Sequence, residues 1–590
     1  MREPRSFLAP VWLRSWVRAD EIWLTLLSAL LGGVAALWVI GISTVTLMLH
    51  RWLYGVAYAP TGHLSGLDHL SVLRTVLALT LGGLAVGVFG VVAAVFVPRQ
   101  PVDPIEANAL HGGRMSLRDS LVVVGQTILS NGSGASIGLE AGFTQIGSAC
   151  ASWAGRAFRV RRDDLRVLVG AGAGAAIGAA FNAPVTGAFY AFELVIGSYT
   201  LASLPPVAAA ALAGVGVAHV LHHNPMALPP LSIGPLDWNA GIGVVLISVL
   251  SALTAIAVMF GVTQVEKVFR RLPVPGWGRP ALGGLAVSGL AVIHPSVLSS
   301  GHEAMRRVLS GDFTPRMAAG LLLLKAVASA LSIGSGFRGG LFFASLYLGT
   351  LAGTVYTVFL TPLGVAPGSM VLAALVGMSA MAVAVIGSPM TMVCLALEMT
   401  GSAVFSGATF VAAIISLLTV RRLFGYSFAT WRFHLRGESI RSAVDVGWIR
   451  SLDVRRMMRP IPRSLPLRTS VTRAQKVLAP GSGQRVILLD DDGRYAGVLG
   501  IADLHLADGA RGQTVEALAQ HGGDVLTPLM NVREAIERFT QAEADALVVV
   551  DDVVSRKVVG LLTEQHALRR YAEELERSRR SLAGEESFPT

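Results

Sequence analysis

The chain has 590 residues, 53% of them hydrophobic and only 15% charged. Soluble chains carry about 25% charged residues, so this composition excludes a protein that is soluble throughout. The net charge is +10, yet residues 441–590 hold 42 of the 86 Asp, Glu, Lys and Arg residues, equally acidic and basic. The positive excess therefore lies in the apolar part, where basic residues between spans act as topology signals rather than as a nucleic-acid surface. No nucleic-acid partner is expected. Cys150 and Cys394 both sit in apolar stretches, which leaves no disulfide framework or thiolate metal centre.

In chain order, Arg2, Arg5, Arg14 and Arg18 precede a first apolar run from Ile22 to Leu49. That run is too long for a cleaved signal core and long enough to span a bilayer. It reads as a retained helix with its basic end in the cytoplasm. Further apolar segments follow at 71–98, 116–130, 141–156, 165–180, 184–222, 239–262, 280–298, 317–334, 340–361, 369–386, 388–400 and 405–423. Several are shorter than a span. Two are broken by glycine, at Asn131-Gly132-Ser133-Gly134 and at Gly334-Ser335-Gly336. Helices broken at membrane depth persist where the freed backbone lines a cavity or packs in protein. Matching breaks in two halves of a chain point to a transport site in a duplicated, inverted repeat.

After about residue 440 the pattern becomes that of short soluble elements. Arg485 to Asp490 and Ala546 to Asp551 read as buried strands ending in acidic turns. Each precedes a Gly-led strand, at Gly497-Val498-Leu499 and Gly560-Leu561-Leu562, and each follows a helix-like stretch, Thr472 to Leu478 and Val532 to Phe539. The tail is two copies of a β-α-β-β-α unit. The boundaries expected are a cytoplasmic segment 1–21, a membrane domain 22–440, a paired soluble domain 441–570 and a charged tail 571–590.

Ionisable groups inside apolar runs are functional candidates by default. Four stand out: Glu140, Glu193, Lys325 and Glu398. Glu140, in Gly138-Leu139-Glu140-Ala141-Gly142, heads a helix-like run. A helix N-terminus offers unpaired N–H groups and a positive dipole end, together an anion site. A carboxylate there can occupy the site it guards, or simply cap the helix. The second break leads from Gly334-Ser335-Gly336 through Phe337-Arg338-Gly339-Gly340 into Leu341-Phe342. Its glycines allow close backbone approach. Gly170-Ala-Gly-Ala-Gly174 imitates a dinucleotide fingerprint, but its apolar setting reads as tight helix contact. Lys325 reads as a snorkelling lysine or an attractor of anions, with snorkelling favoured. Glu398 reads as a hydrogen-bond acceptor for neighbouring backbone.

These motifs together resemble the CLC family of chloride channels and proton-coupled anion exchangers, and specifically a bacterial member with C-terminal paired CBS domains. Gly138-Leu139-Glu140-Ala141-Gly142-Phe143-Thr144-Gln145-Ile146-Gly147 is similar to the family's G-R/K-E-G-P-x-x-Q-I-G. Phe181-Asn182-Ala183-Pro184, the Gly334 to Phe342 stretch and Pro389 to Thr400 match three further family elements in order. Tyr426 falls at the family's pore tyrosine. The resemblance implies an all-α polytopic membrane domain, an inverted repeat with broken helices, plus C-terminal α/β paired CBS domains. It implies Glu140 as the gate. It implies an anion path lined by Gly138, Leu139, Glu140, Ala141, Gly142, Gly340, Leu341 and Phe342, with Tyr426 as hydroxyl donor or, on its bland reading, an interfacial belt residue. Chloride is then the transported ligand, no cofactor is required, and a homodimer in a bacterial inner membrane with both termini cytoplasmic is expected.

The departures are informative. Counting back without gaps from Ala109-Leu110 puts Pro101 where the family has an anion-contacting serine, and Asp103 beside it. In plant relatives a proline there accompanies nitrate preference. An Asp103 carboxylate near the path is repulsive unless it is paired or faces away. The inner proton-relay glutamate of the family's exchangers falls on Leu194, next to Glu193. Leucine carries no proton, which favours a channel over a proton-coupled chloride or nitrate antiporter. Glu193 is either a substitute relay or a structural carboxylate. In the tail, Asp503 and Thr563 match positions at which CBS pairs hold an adenine nucleotide, whereas His566 replaces the second aspartate. A dimerisation or trafficking module is the plainer alternative there. A magnesium transporter is disfavoured by too few buried acids. An intramembrane metalloprotease is disfavoured because His302-Glu303-Ala304-Met305-Arg306 lacks a second histidine.

Overall fold

The computed structural model describes residues 8–56, 64–97, 101–221, 237–365, 368–425, 427–428, 431, 452–460, 463–480, 485–507 and 513–583. It divides into two compact units, Met1–Val444 and Asp445–Thr590. Among the described residues, seven helices are long and apolar enough to cross a membrane.

Among the described residues of the first unit, a short helix α1 (Val11–Ala19) precedes two series of eight, up to residue 423. The first series is α2 (Glu21–Tyr54), α3 (Val72–Phe96), α4 (Pro104–Leu110), α5 (Leu117–Gly132), α6 (Glu140–Ala157), α7 (Arg162–Phe181), α8 (Pro184–Tyr190) and α9 (Leu204–Val220). The second is α10 (Trp238–Arg271), α11 (Arg279–Ile293), α12 (His302–Leu309), α13 (Pro315–Ser335), α14 (Phe342–Leu360), α15 (Met370–Ile386), α16 (Pro389–Thr400) and α17 (Ala403–Leu423). The apolar run 184–222 is thus not one segment. A π-helical turn, Ala191–Ile196, extends α8, and Gly197 then ends it in the left-handed region at φ 79° before α9 begins.

Packing repeats with the series. α2 lies against α9 as α10 does against α17, and α6 lies against α7 as α14 does against α15. Across the halves, α3 packs on α11 and α8 on α16. In lipid there is little hydrophobic drive between helices, so close backbone approach at small residues supplies the attraction. At the α14–α15 contact a Cβ on Gly353 would lie 2.0 Å from the Ala373 carbonyl oxygen, and one on Gly377 2.4 Å from that of Gly349. Gly353→Val is therefore expected to cost about 1–3 kcal/mol or more by overpacking. In detergent its thermal transition should fall clearly below that of Gly289→Val, since a Cβ at Gly289 meets nothing within 4 Å. Equal transitions would contradict this account of the helix pair.

The second unit contains two three-stranded sheets of one design. β1 (Ser464–Pro466) pairs parallel with β2 (Arg485–Leu489), which pairs antiparallel with β3 (Tyr495–Gly500), placing Ile487 opposite Val498. β4 (Val525–Leu526), β5 (Ala546–Val550) and β6 (Val558–Thr563) repeat this, with Val548 opposite Leu561. Both antiparallel pairs carry an irregularity at the end of the middle strand, at Leu488/Leu489 and at Val549/Val550. Helices Val471–Val477 and Val532–Ala542 occupy matching places between the first and second strands. Ile487, Tyr495, Val498, Val548 and Val550 form one apolar cluster shared by the sheets, and Arg485 forms an ion pair with Asp545.

Candidate functional site

The two glycine breaks meet. α5 ends at Gly132 and α6 begins at Glu140, while α13 ends at Ser335 and α14 begins at Phe342. The Gly138 N–H donates to the Gly340 carbonyl at 2.9 Å, and the Gly340 N–H returns a bond to the Gly138 carbonyl at 3.1 Å. Polar side chains satisfy the neighbouring backbone. Asn131 Nδ2 donates to the Ile137 carbonyl (2.6 Å), the Ser136 N–H donates to Ser332 Oγ (3.0 Å), and the Arg338 N–H donates to Ser130 Oγ (3.1 Å). An unpaired backbone group in lipid costs several kcal/mol, so these serines and Asn131 make the breaks tolerable.

This bridge alters two expected roles. The amides of Gly138 and Gly340 bond each other instead of facing a ligand. What those glycines provide is space, because a Cβ on Gly138 would fall 2.0 Å from Glu140 Oε2 and one on Gly340 would fall 2.9 Å from it. Glu140 is 5% exposed and is the first residue of α6. Its carboxylate faces the backbone N–H groups of Glu140 itself and of Phe343, at the start of α14. It thus sits where two helix N-termini converge.

Lys325 does not snorkel. It is fully buried on α13, and its Nζ donates to the carbonyls of Ser299 (2.7 Å) and Val297 (3.1 Å), with the Tyr347 ring 5.8 Å away. The loop between α11 and α12 turns these carbonyls inward and replaces the water a snorkelling ammonium would seek.

Beside the bridge, with Gly340 in its wall, lies a cavity of ≈ 170 Å³. Of the residues expected on the path, Pro101, Glu140, Ala141, Gly340, Leu341 and Phe342 line it. Gly138, Leu139 and Gly142 are not among its lining residues. Leu139 packs with the Val124 and Phe143 cluster, and a Cβ on Gly142 would meet Thr127 at 3.3 Å. Only part of a helical turn can face one cavity. Tyr426 lies outside the described residues, and Phe428 lines the wall nearby in sequence. Asp103 is on the wall as the N-cap of α4, its Oδ1 accepting from the Ile105 N–H at 2.9 Å. Leu194 is on the wall too.

Glu193 points elsewhere. Its carboxylate accepts from the N–H groups of Met390 and Thr391, each at 2.9 Å, from Thr391 Oγ1 at 2.8 Å, and from Ser388 Oγ. Glu398 does the converse, accepting from Val185 N (2.8 Å), Thr186 N (2.8 Å) and Thr186 Oγ1 (2.6 Å). α8 and α16 therefore run antiparallel, each closing the other's N-terminus with a carboxylate. The capped backbone belongs to the opposite half of the chain, not to the neighbouring sequence.

Among the lining residues that sequence reasoning missed, the polar ones are Thr144, Tyr190 and Arg338. Tyr190 stacks on Phe342 with ring centroids 6.2 Å apart, and Thr144 lines the same cavity. Spacing held some signal: Tyr190 precedes Leu194 by one helical turn, and Thr144 follows Glu140 by one.

In the second unit Asp503 lies in the first turn of helix Ile501–Leu506, 3.5 Å from Gln520 Nε2, and Thr563 closes β6. Burial, with Arg459, Arg570 and Arg569 around it, holds the His566 imidazole below its ordinary pKa.

Comparison with known proteins bears on residues 99–421, which match the family model described as "Voltage gated chloride channel". A ClcB-like chloride channel protein of Ralstonia nicotianae is 32% identical over 387 residues, covering 63% of this chain and 88% of that protein. The voltage-gated ClC-type chloride channel ClcB of Salmonella typhimurium is 28% identical, covering 68% and 96% respectively. Among solved structures, a slow cyanobacterial Cl⁻/H⁺ antiporter superposes with a TM-score of 0.59 at 20% identity, covering 70% of this chain and 98% of that one. A eukaryotic CLC transporter gives 0.59 at 17% identity over 94% and 98%. With the broken helices meeting at Glu140 and a family model matching more than half of its length, this chain belongs to the CLC family of anion transporters.

Proposed function

We propose that the chain conducts chloride or a similar small anion passively, with Glu140 as the gate. The observation that carries this is the Glu140 carboxylate lying across the two helix starts at the head of the cavity. A carboxylate there competes with a mobile anion for the same N–H groups, and protonating or displacing it frees them. Neutral dipoles suit a permeant anion because they bind it without trapping it. The passive reading rests on Leu194, which cannot relay a proton, and on Glu193, whose carboxylate is committed to α16. Proton-coupled chloride or nitrate exchange is the second reading, favoured by one observation, the Asp103 carboxylate in the same cavity. Pro101 on that wall keeps nitrate beside chloride as cargo.

The test is purified protein in chloride-loaded liposomes, with chloride efflux and external pH recorded together. Efflux with valinomycin is expected to proceed with no uphill proton movement. Protons driven uphill by the chloride gradient would establish the exchanger instead. Nitrate flux without chloride flux would reassign the cargo.

We further assign residues 22–440 to transport and 441–570 to a cytoplasmic CBS pair in a homodimer, in a bacterial inner membrane. Supporting this are the repeated three-stranded sheets and the exposed Arg421 and Arg422 at the end of α17, which mark a cytoplasmic end by the positive-inside rule. Asp503 and Thr563 are proposed to hold an adenine nucleotide. ATP should then raise the thermal transition of the full chain, and Asp503→Ala should remove that rise.

A further inference from the structure

With Glu193 committed to α16 and Leu194 apolar, the cavity would leave Glu140 without a polar route to the cytoplasm unless other groups provide one. Among its lining residues the acidic side chains are Asp103 and Glu140, and Arg338 is the cation. Tyr190 and Thr144 line the same cavity as both carboxylates, and among the described residues they are the hydroxyl-bearing side chains on its wall. Thr144 Oγ1 donates to the Glu140 carbonyl at 2.9 Å, which ties this hydroxyl to the first turn of α6. Glu140 Oε2 is buried with no hydrogen-bond partner, as an acceptor awaiting a proton would be. The cavity has room for several waters and the polar groups to hold them. Phe428, a few residues past Arg421 and Arg422, lines the same wall, so the cavity lies toward the cytoplasmic end of α17.

We propose that Asp103 and Tyr190 deliver the proton that opens Glu140 from the cytoplasmic side, a route that Leu194 does not offer. Asp103 takes a proton from cytoplasmic water and passes it to the Tyr190 oxygen through cavity water as the phenolic proton moves on to the Glu140 carboxylate. Asp103 is left ionised, Tyr190 is unchanged and Glu140 is neutral, so one proton has moved. The charged groups around the route are Arg338 in the second break, Lys325 on α13, held by the Val297 and Ser299 carbonyls, and Glu106 on α4, 3.9 Å from His111. This rests on Glu140 being the gate, holds whether the proton only opens the gate or also crosses with the anion, and goes beyond that reading by naming where the proton comes from.

The test uses excised membrane patches, with each face perfused separately and anion current followed after a step to acid pH. Tyr190→Phe keeps the ring against Phe342, and Asp103→Asn keeps a good helix cap. Both are expected to slow the response to a cytoplasmic step at least tenfold while leaving the response to an external step as in the native chain. If both respond to cytoplasmic steps at the native rate, or are slowed equally from both faces, the relay is overturned. Glu140→Gln should respond from neither face. A pH response surviving in that variant would overturn the gate assignment itself and so separates the two failures.

Discussion

Glu140→Gln is expected to raise anion flux about tenfold or more at neutral pH and to flatten its dependence on pH. A fixed carboxylate about 4 Å from an entering anion opposes it by about 4 kcal/mol at an effective dielectric of 20. Tenfold corresponds to only about 1.4 kcal/mol, which allows for a native carboxylate that swings aside part of the time. Glutamine keeps the shape over Gly138 and Gly340 and removes the charge. The sign follows directly. Acid neutralises Glu140, so native flux rises as pH falls, whereas the glutamine chain starts at the high level and stays there. Chloride efflux from liposomes between pH 5 and 8 reads both effects. A variant whose efflux matches the native chain at every pH would remove Glu140 from the gate.

The second large effect concerns stability. Glu193→Ala removes the acceptor for two backbone N–H groups and two hydroxyls at the start of α16, where Ser388 and Thr391 are fully buried. Each hydrogen bond to a charged group is worth about 1.5–3 kcal/mol. With water refilling part of the gap, a net loss of about 3–5 kcal/mol is expected, seen as a lowered thermal transition and a poor yield of folded protein. Glu193→Gln retains one accepting oxygen and should fall between the two. Neither substitution should create or abolish proton movement during anion flux. A stable Glu193→Gln protein with altered proton movement would return Glu193 to the relay.

Most of the membrane helices and both breaks were legible from apolar run length and glycine placement, because those signals are local, whereas the short α4 and α12 and the division of 184–222 were not. Glu140 was legible for the same reason: an acid between glycines at a helix start is unusual in one short window. The Gly138–Gly340 bridge was not, since its partners are far apart in sequence and bond through backbone, which no side-chain pattern records. Lys325 was misread because the Val297 and Ser299 carbonyls that receive it come from another loop. Tyr190 reads as one more aromatic in an apolar run, and only the folded arrangement shows that it lines the cavity with Phe342 and Thr144. Glu193 and Glu398 were visible as buried acids. Their exchange of caps had a hint, because each lies nine residues after the proline that opens its helix.

That exchange bears on the order in which the molecule can be made. Glu398 emerges from the ribosome more than two hundred residues after Val185 and Thr186. Until it does, the start of α8 lacks the carboxylate that accepts its amide hydrogens in the folded chain. The first half can insert, but it cannot reach its final state alone. Synthesis that stops after α9 would leave a fragment with an exposed polar defect, the kind of lesion membrane quality control recognises. Completion of the carboxyl-terminal half would then be the step at which the nascent protein escapes degradation.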